Sequence, residues 1–131
     1  MIILKYIDNS DNCTEKTLYF DTDEGLYLSD MDLHRVSFEN MTISNSNISN
    51  SELRNAIFTD ATFTNCDFSG SGFVNIYSEN ATFNNCVFDN ARFYSVTFEN
   101  SIWDKCSFLN AKMHLATING DDMQIAINDN K

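Results

Sequence analysis

ATFNNCVFDNARFYSVTFEN, residues 81–100, is four five-residue units written end to end. They run from Ala81, Cys86, Ala91 and Val96, each has Phe in third place (Phe83, Phe88, Phe93, Phe98), and three of the four close on Asn. A period of five keeps its apolar residues on one face of neither an α-helix, which needs 3.6, nor a flat strand, which needs 2. The chain must coil instead. Each unit turns one large and one small side chain inward and then bends, and successive coils stack like strands of a parallel sheet.

The third-place frame extends in both directions, from Leu28 in steps of five to Ile118, and Ser78 is its only polar member. Ten of the eleven Phe residues fall on it, so the pattern is no accident of an apolar composition. The frame two residues earlier is small almost throughout, with Ser46, Ser51, Ala56, Ala61, Cys66, Ser71, Ala81, Cys86, Ala91, Ser101, Cys106, Ala111 and Ala116. Its larger member Ile76 directly precedes Ser78, an exchange of volume expected to keep the core filled there. The chain contains no Pro and four Gly, so the corners fall to Asn, which tolerates left-handed backbone angles better than most residues. Asn40, Asn45, Asn50, Asn55, Asn65, Asn75, Asn80, Asn85, Asn90, Asn100 and Asn110 all sit two places after a centre. Stacked amides are expected to bond along them.

Ala61-Thr-Phe63-Thr-Asn65, Ala81-Thr-Phe83-Asn-Asn85 and Ala91-Arg-Phe93 resemble the A(D/N)LXX motif of pentapeptide-repeat proteins, over roughly residues 26–119. The resemblance implies an all-β fold, a right-handed quadrilateral parallel β-helix with four repeats per coil. Residues recurring every 20 positions support that coil length independently: Cys66, Cys86 and Cys106; Thr42, Thr62 and Thr82; Glu39, Glu79 and Glu99. Nineteen centres at four per coil give about 4.75 coils, and at ~4.8 Å per rung a solenoid roughly 23 Å long.

Both ends of such a stack expose core and unpaired backbone and need covering. Residues 1–25 read as a hairpin-like N-terminal cap, with strands at Ile2–Ile7 and Thr17–Phe20. Residues 26–119 are the β-helix. Residues 120–131 form a C-terminal strand or tail in which Met123, Ile125 and Ile127 alternate. A terminal cap is also where a homodimer would form if the protein is not a monomer. The N-terminal apolar stretch is too short for a secretory signal and no run reaches membrane-spanning length, so the expectation is a cytoplasmic protein without membrane contact.

Side chains that could carry chemistry do not converge. Cys66, Cys86 and Cys106 share the inward small position and are expected to form a column of thiols acting as small hydrophobes, with Cys13 alone near the N-terminus. No His, Asp or Glu shares their frame, so no metal site is expected. His34 and His114 occupy like positions four coils, roughly 19 Å, apart. No Ser/His/Asp group or Gly-rich phosphate loop is present, and a Phe-filled interior leaves no room for substrate or cofactor. The expectation is a protein that is not an enzyme.

What remains is the outer surface. One face stacks Glu39, Thr59, Glu79 and Glu99, with Asp60 near and Ile57 and Tyr77 between, and combines aligned charge with exposed apolar groups. Glu39, Ile57, Asp60, Tyr77, Glu79 and Glu99 are therefore the candidate partner-binding residues. The next side carries Arg54, Arg92, Tyr94, Lys112 and His114 and is mixed in charge. A third carries Thr42, Thr62 and Thr82, resembling the threonine ladders of ice-binding β-helices, but the array stops at Ile102 and Asp104.

The family resemblance implies a non-catalytic protein-binding scaffold of unknown partner. Some members mimic duplex DNA and bind type II topoisomerases such as DNA gyrase, giving protection from quinolones or toxins. The net charge of −11 invites that alternative without implying direct nucleic-acid binding. Within residues 28–118, however, ten acids face five bases, a net of −5, and the two ends supply the remaining −4 and −2. Duplex DNA of ~23 Å carries about 14 charges, so whole-molecule matching is poor. Family precedent also includes effector modules, although no targeting signal is visible here.

Overall fold

A computed structural model describes residues 1–129. Ten strands and one α-helix follow in chain order. Strands β1 (Ile2–Asp8) and β2 (Thr14–Phe20) form an antiparallel hairpin. The solenoid strands are β3 (Thr42–Ser44), β4 (Thr62–Thr64), β5 (Gly72–Glu79), β6 (Thr82–Asn84), β7 (Arg92–Glu99), β8 (Ile102–Asp104) and β9 (Lys112–Ile118). The chain closes with β10 (Asp121–Asp122) and α1 (Met123–Asp129).

The 20-residue coil is visible as register. In the sheet ordered β3-β4-β6-β8, Thr42 lies beside Thr62, Thr62 beside Thr82, and Thr82 beside Ile102, all in parallel. In the sheet ordered β10-β9-β7-β5 the last three carry the same offset, Phe73 beside Phe93 beside Met113, while β10 turns back antiparallel on β9. A further side is joined by single bridges, Tyr27–Asn47–Asp67–Val87–Ser107.

The corners make the coil. From Asp30 to Leu115 every fifth residue has φ between +51° and +69°, and most of these residues are Asn. Two corners carry side-chain ladders. Asn65 donates its amide to Asn45 Oδ1 (3.3 Å) and Asn85 to Asn65 Oδ1 (2.6 Å); Asn80 donates to Asp60 Oδ1 (3.0 Å) and Asn100 to Asn80 Oδ1 (2.5 Å). On the other two corners Gly70 and Ser95 interrupt the column of amides.

Inside, the centre residues form four ring stacks. Phe68, Phe88 and Phe108 stack at 5.2 Å per step, with interplanar angles of 4° and 10°. Phe63, Phe83 and Trp103 follow at 5.6 and 4.4 Å, and Phe73 and Phe93 at 4.7 Å. The fourth stack has Ser78 where a ring is due. Two rungs apart is ~9.6 Å, yet the Phe58 and Phe98 rings lean together to 6.2 Å. Ile76 beside them is buried, and the Ser78 hydroxyl accepts the Phe58 N–H at 3.1 Å. The missing ring is thus replaced by a convergence of its neighbours as well as by Ile76.

The small inward frame has a polar task that its size alone does not suggest. Ser51 Oγ donates to Leu28 O and Ser71 Oγ to Ile48 O, both at 2.6 Å and both 23 residues back. Cys66, Cys86 and Cys106 reach Ile43 O, Phe63 O and Phe83 O at 3.7, 3.5 and 3.3 Å with the same offset. These five side chains therefore bond the centre carbonyl of an earlier coil, while Ser46 Oγ donates to Ser44 O nearby.

The ends are closed differently. Ile2, Leu4 and Tyr6 of the hairpin are buried, while Ile7 N–H bonds His34 O (2.7 Å) and Asn9 N–H bonds Asp32 Oδ2 (3.1 Å). The second strand begins at Thr14 rather than at Thr17. At the other end the expected strand at Met123, Ile125 and Ile127 is a helix. Asp122 Oδ1 accepts the N–H groups of Gln124 and Ile125, a helix N-cap. Met123 and Ile127, four apart, turn towards the core and Ile125 outwards. Residues 130 and 131 of that segment lie outside the described residues. Asn119 closes the last coil, its side-chain amide accepting from Ser101 N–H (2.7 Å) and donating to Ser101 O (3.0 Å).

Two substitutions test this account by differential scanning calorimetry. Ser78→Phe restores the sequence pattern but meets space already taken by Phe58 and Phe98, so it should destabilise by ~1–3 kcal/mol; an unchanged melt would contradict the convergence. Leu115, an exposed non-Gly corner at φ 53°, should become less strained as Leu115→Asn, which gains up to ~1 kcal/mol and raises the melting temperature by a few degrees.

Candidate partner-binding face

Strand alternation places residues 37 and 39, 57 and 59, 77 and 79, and 97 and 99 outward on one side, flanking Phe38, Phe58, Ser78 and Phe98. Ser37 is bridged to Ile57 and Tyr77 is in register with Thr97, forming one column. Glu79 is in register with Glu99 in the other, with Glu39 two coils before Glu79 and Thr59 between. Ile57 and Tyr77 are exposed, Tyr77 to 61%. Glu39 and Glu79 are exposed and Glu99 is half-buried.

Five of the six expected residues thus share a flat face. Asp60 stands apart, on the adjoining corner at φ 58°, where its carboxylate accepts the Asn80 amide. It is at once a charge at the edge of this face and a rung of the corner ladder. Among the described residues none of Glu39, Asp60, Glu79 and Glu99 has an ion-pair partner. Tyr77 Oη donates to Glu79 Oε1 at 2.8 Å. That bond, and then the carboxylate's charge, raise the phenol above its ordinary value by favouring the protonated form.

Elsewhere one charged pair spans two coils, and the buried His34 Nδ1 has no partner among the described residues. Arg92, expected to contribute to a mixed surface, pairs with Glu52 at 2.5 Å across two coils. Gly72 lies beneath the bridge, and a Cβ there would fall 2.1 Å from Glu52 Oε1 and 2.7 Å from Arg92 Nη2. The 20-residue spacing of Glu52, Gly72 and Arg92 was the available signal for this tie. The cysteines are free. A shared hydrogen bond lowers Cys66 and raises Cys86, with burial raising both, and burial raises Cys106. Among the described residues no three His, Cys, Asp or Glu side chains are grouped to hold a metal, and no helix is long and apolar enough to cross a membrane. At the C-terminal end a groove of about 710 Å³ opens between the last coil and α1, with Trp103, Phe108 and Ile127 in its wall.

One prediction follows from the Tyr77–Glu79 contact. Glu79→Gln should bring the pH at which Tyr77 ionises down towards the ordinary tyrosine value, read by NMR of the labelled ring carbon through an alkaline titration; an unmoved Tyr77 would show that the contact does not form.

No curated protein matches the sequence. Among solved structures, trypsin-treated QnrB1, a plasmid-mediated fluoroquinolone resistance protein, is similar at 20% identity and a TM-score of 0.47, covering 71% of this chain and 53% of QnrB1. The pentapeptide repeat protein Rfr23 from the cyanobacterium Cyanothece 51142 is similar at 13% identity and a TM-score of 0.36, covering 72% of this chain and 86% of that protein. This chain therefore spans about half the length of QnrB1. A family model described as pentapeptide repeats (9 copies) matches residues 28–72 and 79–120, and with the 20-residue register and the four centre stacks it makes this chain a member of the pentapeptide-repeat family.

Proposed function

We propose that the protein is a non-catalytic binding scaffold whose face of Glu39, Ile57, Tyr77, Glu79 and Glu99, edged by Asp60, takes a basic protein surface. The observation that carries this reading is the set of four carboxylates without ion-pair partners among the described residues, beside two exposed apolar side chains. Opposite charge steers a partner and sets its register, while Ile57 and Tyr77 supply area that loses water on contact. The face lies on stacked strands of a filled core, so it is presented without an ordering cost.

A second reading, modulation of a type II topoisomerase such as DNA gyrase by mimicry of DNA, is favoured by the spacing of these acids. From Glu39 to Glu99 is three rungs, roughly 14 Å, and the face with its edge carries four carboxylates over that length. One strand of a duplex carries a charge every ~3.4 Å, about four over the same distance. The molecule as a whole is undercharged for a DNA mimic, but this side has the linear density of a single strand.

The variant Glu39→Lys/Glu79→Lys/Glu99→Lys tests both readings and spares Asp60, whose replacement would also break a corner ladder. It should fold, since each site is a surface position worth within about 0.5 kcal/mol. In a gyrase supercoiling assay with and without a quinolone, inhibition or protection by the wild type that the variant loses would establish the second reading; no effect would remove it. For the broader reading, a photo-crosslinking side chain in place of Tyr77 should give a protein adduct in extract of the producing cells, suppressed by the three lysines. The same group in place of Thr62, on another face, should give none. Equal adducts from both positions would overturn the assignment.

A further inference from the structure

One column of outward side chains changes sign along the solenoid. On the side that adjoins the acidic face at the corner of Asn55, Asn75 and Ser95, the residues before successive centres are Asp32, Glu52, Gly72, Arg92 and Lys112, each in parallel register with the next. The order is acid, acid, no side chain, base, base. The inner acid and base are joined over Gly72. The outer two stand four rungs, roughly 19 Å, apart and cannot meet within one chain. Lys112 is exposed and has no ion-pair partner among the described residues. The Asp32 carboxylate receives a backbone N–H, that of Asn9.

Reversed end for end, such a series is its own complement. A two-fold axis along the strand direction, through the rung of Phe73, lays this column against itself in the opposite sense. Asp32 of each copy then faces Lys112 of the other, and the two Glu52–Arg92 pairs close into a ring of four alternating charges. Gly72 lies on the axis beneath both bridges, where the absence of a side chain lets each bridge lie flat against its strand. The neighbouring column obeys the same symmetry. Val74, Tyr94 and His114 are in register there, Val74 comes to the axis, and Arg54, one coil before Val74, falls opposite the ring of Tyr94.

We infer that this side is an isologous interface through which two copies of the chain associate side by side and antiparallel. The inference is independent of the acidic face, which lies on a different side. The contact is two side-chain columns wide and roughly 19 Å tall, well short of the ~800 Å² per partner typical of a stable complex. The association is accordingly weak, charge-steered and weakened by salt.

Sedimentation equilibrium of the full chain up to ~1 mM should show a monomer–dimer equilibrium that added salt shifts to monomer. Asp32→Lys and Lys112→Asp should each remove it, because either places like charges opposite one another at two contacts. An equimolar mixture of the two variants should associate again, since every contact between unlike chains then carries opposite charges. A variant that merely unfolds gives no such rescue. Should Asp32→Lys fail to fold for want of its bond to Asn9, Lys112→Asp at its exposed position carries the test alone. The inference is overturned by a wild type that stays monomeric to ~1 mM, by folded variants that do not reassociate on mixing, or by a dimer that ignores these charges and is lost with Ile102→Asp beside the C-terminal groove.

Discussion

The fold depends on a left-handed backbone angle at every fifth residue. Without it the chain would run straight, the third-place Phe residues would alternate between faces, and no stack could form. Asn supplies that angle at small cost and also offers an amide that bonds to the next coil. The corner thus directs the chain and ties one coil to another. Where other residues take the corner the angle persists while the tie lapses, as at Gly70, Ser95 and Leu115. Stacked rings and backbone bonds between rungs therefore hold the angle even where local preference opposes it.

The interior converts that turn into stability. Ring stacks at 4.4–5.6 Å, tighter in places than the spacing of a parallel sheet allows by translation alone, require small adjustments of tilt. Ser78 shows how far those adjustments reach, since two rings close a gap of two rungs. The small frame does more than make room. Ser51, Ser71 and the three cysteines bond backward to centre carbonyls, which explains why Ser, Cys and Ala interchange along it: the first two fill the space and satisfy an acceptor, while Ala only fills. The cysteine column is in this sense a run of serine-like bonds with a less polar atom.

Much of this was legible in the sequence. The inward frame, the coil length, the corners and the outward position of Glu39, Ile57, Tyr77, Glu79 and Glu99 all come from periodicity, which strict repetition makes easy to read. Legibility failed where repetition stops. Met123, Ile125 and Ile127 alternate as a strand would, and the competing signals, Asp122 as a cap and the four-residue step from Met123 to Ile127, are as short as the strand pattern they override. It also failed where two coils interact across a third. The Glu52–Arg92 bond needs Gly72 to be absent as a side chain, and the leaning of Phe58 and Phe98 needs Ser78 to be small. A residue-by-residue reading assigns each position its own rung and does not see past it.

Asn119 gives the start of the last coil, at Ser101, a hydrogen-bonding partner that no strand supplies. Its amide presents to Ser101 the same acceptor and donor that another peptide group would. At that corner one side chain therefore stands in for the peptide of a further coil, while β10 and α1 cover the rest of the end. A solenoid ended in this way has no built-in length. Whole coils could be gained or lost upstream without disturbing how the stack stops, and each would move every outward column by one rung while leaving its neighbours in order. Reach and surface pattern can then vary in units of 20 residues, with the closing device carried along unchanged.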